Sequence, residues 1–575
     1  MSDKHPFDEA IKSCRPLFIA AFFSGLFINL LMLAVPLYSL QVLDRVLSSG
    51  STDTLFALTV IVGICLIFMG VMNTLRAMIF SHIGRWLDDK LSSDVVSRMV
   101  ELAVLQPKIG SQPLRDLASV RSFVASPHLA NLFDGPWAII FFVVIYVINI
   151  YLGLIVTGGA VLLAILAFVA ERLPSKAQSS AADEQLKSMQ AVDSILRNAE
   201  VIKAMGLLGN ATKRWRDHNF ASLDHSFTAS GRSTLIGQIT KSMRLGIQVI
   251  VMGFGAWFAL TGSMSPGAII AVSILTGRAL APFDALAPLY QSLVGVRKSI
   301  DRLRDLDQTD NHINQTMMLP DPQGALTLNK VSYEAPQSRR WLLKNVSAKI
   351  EAGEAIGIIG PSGSGKTTLA RMLANVIAPS VGSIAIDKAA LFQWDPAQLA
   401  STIGYLPQGV ELFDGTVAEN IARLDDEAPD EAVIEAAQQA QVHEFILSLP
   451  NGYQTQIGPG GALLSAGQRQ RIALARCFYG NPKVLILDEP NANLDGEGEM
   501  SLVRALDQAK ELGMTTITIA HRPSVLQKVD KVMVLQDGEL KMFGETKEIM
   551  AKLAGNNRKV QPITQKPTMA KSNAG

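Results

Sequence analysis

The first half of the chain alternates uncharged apolar windows with long basic stretches of helical spacing. Windows 16–43, 54–75, 135–170 and 245–277 contain no charged residue. A bilayer core about 30 Å thick takes roughly 20 apolar residues of helix, so each window is long enough to cross it. The third holds two short spans with a turn near 149–153. The fourth breaks at Gly262-Ser-Met-Ser-Pro266, and its second span continues through Arg278 towards Tyr290. Six spans are therefore predicted, with both ends of the chain on one side. The stretches between spans two and three and between four and five lack interior Pro/Gly clusters. In AVDSILRNAEVIKAMGLL, Val192, Ile195, Leu196, Ala199, Ile202 and Met205 fall near one helix face. These stretches are expected to carry the membrane helices well into the cytoplasm, to meet a second domain.

After Asp301 the pattern changes. QTDNHINQTMML is polar and reads as a linker, while ALTLNKVSYEA and NVSAKIEAGEAIGIIG are β-branched, strand-like and punctuated by glycine. The chain of 575 residues exceeds what one hydrophobic core usually holds, so at least two domains are expected. Hydrophobic content of 48% with 18% charged residues argues against a wholly soluble or disordered chain. With 52 Lys+Arg against 51 Asp+Glu, the net charge of +1 gives no case for nucleic-acid binding.

The distribution of charge says more than its sum. Basic residues crowd the loop after span two, including Arg76, Arg85 and Arg121, and the loop after span four, including Lys187, Arg197 and Lys213. The opposite side carries only Arg45, in the short loop 44–53. The long loops and both termini are therefore expected in the cytoplasm. The first window is too long for a cleavable signal peptide and runs on through Pro36. Cys14, Cys65 and Cys477 are far apart and suggest no disulfide or zinc framework. Arg278 and Asp284, in or near the last span, are off alignment for a bridge along one helix. They either line a path or sit at the interface.

Gly360-Pro-Ser-Gly-Ser-Gly-Lys-Thr367 fits GxxxxGK[ST] between the apolar strand AIGIIG and the helix TLARMLANVI. Such a loop, with Pro361, Ser362, Gly363, Ser364, Gly365 and the following Thr368, turns backbone N–H groups towards phosphates at a helix N-terminus. Lys366 would reach the β- and γ-phosphates, and Thr367 would ligate Mg²⁺. Downstream, Val484-Leu-Ile-Leu reads as a buried strand ending in Asp488, which can hold Mg²⁺ directly or through water, and Glu489, which can polarise the attacking water. Leu464-Ser-Ala-Gly-Gln468 enters the basic helix RQRIALARCF and offers another anion-binding N-terminus.

Together with Gln408 in YLPQ, Asn493-Leu-Asp495 and His521 in ITIAHRPS, these motifs follow the order of the ATP-binding cassette family, which the chain resembles along nearly its whole length. The resemblance implies a multidomain membrane protein. An all-α six-helix transmembrane domain of ABC exporter fold would precede an α/β P-loop nucleotide-binding domain. The corresponding layout is a cytoplasmic segment 1–15, a membrane domain 16–305, a linker 306–323, a nucleotide-binding domain 324–552 and a disordered basic tail 553–575. Within the family, LFDGPWAIIFF, SILTGRALAPFDAL, GYLPQGVELFDGTVAENIA and DEPNANLD look like the type I secretion ATPases that export proteases and lipases. The short N-terminus, with no peptidase-sized domain before the first span, is similar to that branch.

By resemblance, two chains form a homodimer that sandwiches two ATP molecules, with Lys366 of one facing Ser465, Gly467 and Gln468 of the other. Gln408 would sense the γ-phosphate and approach the metal, Asp495 would join the nucleotide site, and His521 would hold the γ-phosphate and water in line. The stretches 112–121 and 197–209 are candidate coupling segments. The same resemblance implies ATP and Mg²⁺ as cofactors and a bacterial inner membrane as the location. It also implies a periplasmic adaptor (membrane fusion protein), a TolC-like outer-membrane channel, contact with membrane lipid, and a secreted substrate with an uncleaved C-terminal signal. A lipid, peptide or small-molecule exporter shares the architecture. A membrane-anchored regulatory ATPase would need fewer spans.

Three positions depart from the exporter pattern. Ala466 stands in the signature where Gly is usual. Ala335 occupies the usual adenine-stacking position, leaving Tyr333 or Trp341 as substitutes, although core packing is the ordinary role for Tyr333. Pro459 replaces a coupling Glu.

Overall fold

The computed structural model describes residues 6–105, 110–172, 175–307, 317–336, 338–520 and 522–557. The chain divides into two compact units, Met1–Asn311 and His312–Gly575.

The described elements of the first unit are all helices. Among the described residues, five stretches are long and apolar enough to cross a membrane: Arg15–Ser49, Thr52–Val104, Leu129–Ile148, Gly237–Leu260 and Pro266–Asp284. A sixth apolar helix, Ile150–Arg172, follows the third of these. Exposed Phe56, Ile67, Val147 and Leu260 would be a liability in water, but hydrocarbon is their natural solvent. Asn149 makes the expected turn. Its extended backbone ends one helix, and its Oδ1 accepts the N–H groups of Tyr151 (2.9 Å) and Leu152 (3.2 Å) to start the next. At the second turn Asp44 accepts from the Ser265 hydroxyl and, at 2.8 Å, from the Gly267 N–H. It thereby caps the helix Pro266–Asp307.

Two helices run far beyond a bilayer: Thr52–Leu105 with 54 residues and Leu208–Leu260 with 53. At 1.5 Å per residue each is about 80 Å long. Several expectations need correction within this frame. Arg76 is not a loop residue. It is buried within Thr52–Leu105 and donates to Asp134 at 2.5 Å, because an apolar bundle holds a guanidinium only with a partner. The stretch around Asn198 is not one continuous amphipathic helix. Helices Ser175–Arg197, Ala199–Ala204 and Leu208–Leu260 meet at a corner that includes left-handed Gly206, leaving Leu196 and Met205 exposed.

The candidate coupling segment 112–121 lies on the helix Gln112–Val124. Leu117, Val120 and Val124 of the helix Gln112–Val124 pack in a cluster with Phe80, Ile83, Leu87 and Leu303. Buried Asp116 on that helix accepts from Arg302 at 2.5 and 2.7 Å and from Ser299 at 3.0 Å. Phe7, Ala10 and Cys14 join the same cluster, so the N-terminal segment is packed onto the helices. Asp284 pairs across helices with Arg244 at 2.7 Å. Together with Arg278, Asn29, Asn131 and Asp134 it lines a cleft of about 410 Å³.

The second unit holds two sheets. Strands β1 (Leu326–Ala335), β2 (Arg340–Ile350), β4 (Val381–Ile386) and β5 (Ala389–Ala390) form an antiparallel sheet in the order β2-β1-β4-β5. The other sheet contains β3 (Ala355–Ile359), β6 (Ile403–Leu406), β7 (Val484–Asp488), β8 (Thr515–Ile519), β9 (Lys531–Gln536) and β10 (Glu539–Glu545), in the order β10-β9-β3-β8-β7-β6. All neighbours pair in parallel except β10 with β9. β7 and β8 are buried at every position, as parallel strands covered on both faces require.

The expected linker 306–323 is shorter in the structure. One helix continues to Asp307, and Met317 and Leu319 already bond to Gln393 and Gln398 of the second unit. The helix Thr546–Asn557 reaches into the expected disordered tail because Ile549 and Leu553 pack against Val529, Val532 and Val534. Residues 558–575 lie outside the described residues.

Candidate functional site

Four neighbouring parallel strands bring their carboxyl ends to one edge of the sheet, where α/β folds bind ligands. Ile358 of β3 and Asp488 of β7 both pair with Ile519 of β8, and Leu406 of β6 pairs with Leu487 of β7. The loop after β3 is Gly360–Thr367, the acids Asp488 and Glu489 end β7, and Gln408 lies two residues after β6. His521 follows β8 and lies outside the described residues.

Glycine is needed in the loop for close approach. A Cβ on Gly360 would stand 2.1 Å from the Leu535 carbonyl oxygen. One on Gly365 (φ 97°) would stand 2.7 Å from Leu343 Cδ2 and 2.8 Å from the Leu342 carbonyl. β2 therefore braces the loop from behind, while Pro361, Ser362 and Gly363 face outward. Lys366, Thr367 and Thr368 open the helix Lys366–Leu373. Lys366 is buried, and its Nζ donates to the Gly360 carbonyl at 2.8 Å and the Pro361 carbonyl at 3.0 Å. An ammonium whose described hydrogen bonds go to neutral carbonyls, and which also lies near the Asp488 carboxyl, can exchange them for an anion.

Asp488 is fully buried, and neither carboxylate oxygen has a hydrogen-bond partner of good geometry. Burial pushes its carboxyl up, the nearby Thr367 hydroxyl opposes this, and Glu489 reinforces it. A buried charge without partners is expensive, so this carboxylate suits a cation. Ser364 Oγ is likewise buried without a partner in the loop. Glu489 adopts left-handed φ (52°), which turns its side chain out of the strand. Its Oε2 accepts from Gln408 Nε2 at 3.1 Å. The structure thus brings Lys366, Thr367, Asp488, Glu489 and Gln408 to one edge.

The signature forms a second focus. Ser465 caps the helix Ala466–Phe478: its Oγ accepts from the Gln468 N–H at 3.2 Å, and Gln468 Oε1 accepts from the Ser465 N–H at 2.9 Å. Ala466 is exposed at the first helical position. Gly467 has no such room, since a Cβ there would stand 2.7 Å from the Asn493 carbonyl. Asp495 caps the helix Gly496–Glu511, accepting from the Gly498 N–H at 2.8 Å and from Arg471 Nη2 at 2.6 Å. Two side chains of the signature helix thus bond to the segment after Glu489: Arg471 to Asp495, and Gln470 to the Pro490 carbonyl at 3.2 Å.

Tyr333 pairs with Leu343 in the β1–β2 ladder and is half-buried, as a packing residue would be. Trp341 is more exposed near the end of the same ladder. Sequence reasoning missed Leu343, Gln470 and Arg471. The basic helix after the signature contained Arg471, but only three-dimensional placement distinguishes it from its neighbours.

Two family models match the chain: ABC transporter transmembrane region over residues 18–280, and ABC transporter over residues 343–492. The chain is 38% identical to the type I secretion system ATP-binding protein PrsD of Rhizobium meliloti (strain 1021) over 549 residues, covering 95% of this chain and 94% of that protein. It is 31% identical to the toxin RTX-I translocation ATP-binding protein of Actinobacillus pleuropneumoniae, covering 95% of this chain and 78% of the relative. In fold it matches a bacterial Atm1-family ABC exporter solved with ATP bound, at a TM-score of 0.82 and 22% identity over 96% of this chain and 99% of that one. The helical unit with its membrane spans, the phosphate loop facing a buried acid, and these relatives agree: the chain belongs to the ABC transporters, in the group of type I secretion ATP-binding proteins, multi-pass membrane ATPases that couple ATP hydrolysis to transport.

Proposed function

We propose that this chain is the inner-membrane engine of a bacterial type I secretion system, exporting an unfolded protein that carries an uncleaved C-terminal signal. The reading rests on the identity to PrsD, which runs through both the membrane and nucleotide halves. In it, residues 16–305 form the membrane domain and 324–552 the nucleotide-binding domain, with both termini in the cytoplasm. The chain works as a homodimer with a periplasmic adaptor and a TolC-like outer-membrane channel.

In this reading Lys366 exchanges its two carbonyl acceptors for the β- and γ-phosphates, and the Gly360–Thr368 backbone donates to the remaining phosphate oxygens. Tyr333 or Trp341 stacks on adenine. Thr367, Gln408 and Asp488 are the residues that would hold Mg²⁺, which when bound would supply positive charge against the phosphates. Glu489 takes the proton of the attacking water, with Gln408 fixing its carboxylate, and His521 aligns water and γ-phosphate. Ser465, Gly467 and Gln468 of one subunit close over the ATP held by the other, while Asp495 keeps the adjoining loop in place. Positioning and charge stabilisation carry the reaction, without a covalent intermediate.

Reconstitution with candidate cargo, adaptor and channel tests the proposal. Export should require all three together with ATP, and Glu489→Gln should abolish it. ATPase stimulated by lipid or drug, with no response to cargo or adaptor, would assign the chain to small-molecule or lipid export.

A further inference from the structure

The corner between the helix Pro6–Ser13 and the first membrane helix encloses a cleft of about 430 Å³. Its wall is aromatic and aliphatic: Phe18, Ile19, Phe22, Phe23 and Phe133. Phe133 packs edge-to-face against Phe18 and Phe22, at centroid distances of 6.2 and 6.0 Å, which gives the wall a set shape. The only charged side chains lining the cleft are Lys12 and Arg15. Both are exposed, and neither has an ion-pair partner among the described residues.

Depth along the membrane orders these groups. Arg15 immediately precedes the first uncharged window, so the two cations lie at headgroup level while the phenylalanines lie among acyl chains. Phe7, Ala10 and Cys14 anchor the short helix in the bundle, holding Lys12 over the opening. An apolar slot opening to hydrocarbon beneath two unpaired cations has the chemistry of one molecule: a chain below and a negative phosphate above.

We propose that this cleft is a binding site for one anionic phospholipid, with an acyl chain along the phenylalanine wall and the headgroup phosphate between Lys12 and Arg15. A zwitterionic lipid offers the same chain, but its ammonium offsets the phosphate, so the two cations select by charge. The site is independent of the cargo and of the partners named above.

The full chain in neutral detergent is incubated with equal amounts of phosphatidylglycerol and phosphatidylcholine of identical chains. It is then washed, and the retained lipid is extracted and quantified. Phosphatidylglycerol should be favoured by roughly tenfold or more, since each cation near an anionic lipid is worth about fivefold. The Lys12→Ala/Arg15→Ala double variant should retain the two lipids about equally, with its basal ATPase rate unchanged. Ile19→Trp, which fills the slot, should lower retention of both. In the wild type the preference should shrink at about 1 M salt, a measurement that needs no variant. Equal retention by the wild type, or an undiminished preference in the double variant, overturns the proposal. Displacement of the lipid by inorganic phosphate alone would reduce the site to a simple anion site and overturn it as well.

Discussion

Arg471 Nη2 donates to Asp495 Oδ1 at 2.6 Å, fastening the helix that Ser465 caps to the loop that follows Glu489. The Gly498 N–H and Arg471 together hold the Asp495 carboxyl below its usual range, so it is charged at neutral pH. With Gln470 on the Pro490 carbonyl and Gly467 against the Asn493 carbonyl, the signature helix and the segment after Glu489 are held against each other.

Arg471→Ala should therefore lower ATPase turnover by roughly tenfold while leaving ATP binding to the Gly360–Thr368 loop unchanged. Arg471→Lys, which keeps the charge but loses the planar fork, should recover part of the rate. Turnover together with nucleotide affinity in the purified dimer checks this. A fall in affinity alone would contradict it.

Adjacent signature positions should respond oppositely to a methyl group. Ala466→Gly should preserve or raise ATPase activity, since Ala466 is exposed at the first helical position. Gly467→Ala should cut turnover by about a hundredfold, because its Cβ would stand 2.7 Å from a backbone carbonyl that is itself fixed. Both rates are measured at saturating ATP.

Glu489→Gln should keep the Gln408 contact sterically possible while removing the proton acceptor. Hydrolysis should fall by at least a hundredfold, typical of losing a general base. ATP should then trap a closed dimer, detectable by size and by retained nucleotide. Unchanged hydrolysis would remove Glu489 from the role.

The Asp116–Arg302 pair should be asymmetric. Asp116 is buried and Arg302 about half exposed, at 3% and 49% of the side chain. Removing Arg302 strands a buried carboxylate with Ser299 and Gln112, whereas removing Asp116 lets the guanidinium return to water. Arg302→Ala should lower the melting temperature in detergent several degrees more than Asp116→Ala. Equal shifts would contradict the burial argument.

Burial pushes the Cys477 thiol up to about 12 from 9.0, and its Sγ donates to the Ala473 carbonyl at 3.1 Å. Only the thiolate reacts, and a higher thiol pKa means less thiolate at a given pH. At pH 8 the thiolate fraction is lower than that of an ordinary cysteine by roughly a thousandfold. In a Cys14→Ala/Cys65→Ala background, iodoacetamide should leave the native protein unmodified at pH 8 and label it fully on unfolding.

Local chemistry was legible in the residues alone. An uncharged window long enough to cross a bilayer is a membrane span whatever surrounds it. A Gly-rich run before Lys366 and Thr367 marks a phosphate loop, and a run of apolar residues ending in Asp488 and Glu489 marks a buried strand end. These features depend on neighbours a few residues away, which is why six spans, a phosphate loop and the principal acids could be read directly. The resemblance to a known family then suggested the roles proposed for Gln408 and His521, which spacing does not encode.

What tertiary structure decided were the pairings between distant residues. Arg244 with Asp284, Arg76 with Asp134 and Asp116 with Arg302 each join helices whose relative rotation is set by packing, not by period. Helical spacing around Asn198 continued in the sequence while the backbone turned, because the corner with left-handed Gly206 outweighs the local pattern. The adjacent positions Ala466 and Gly467 differ in their surroundings: the first is exposed, while a Cβ on the second would meet the Asn493 carbonyl. The sequence alone determined two domains and the chemistry at one edge of the second. The three-dimensional packing determined which charges neutralise one another, because only folding brings them within reach.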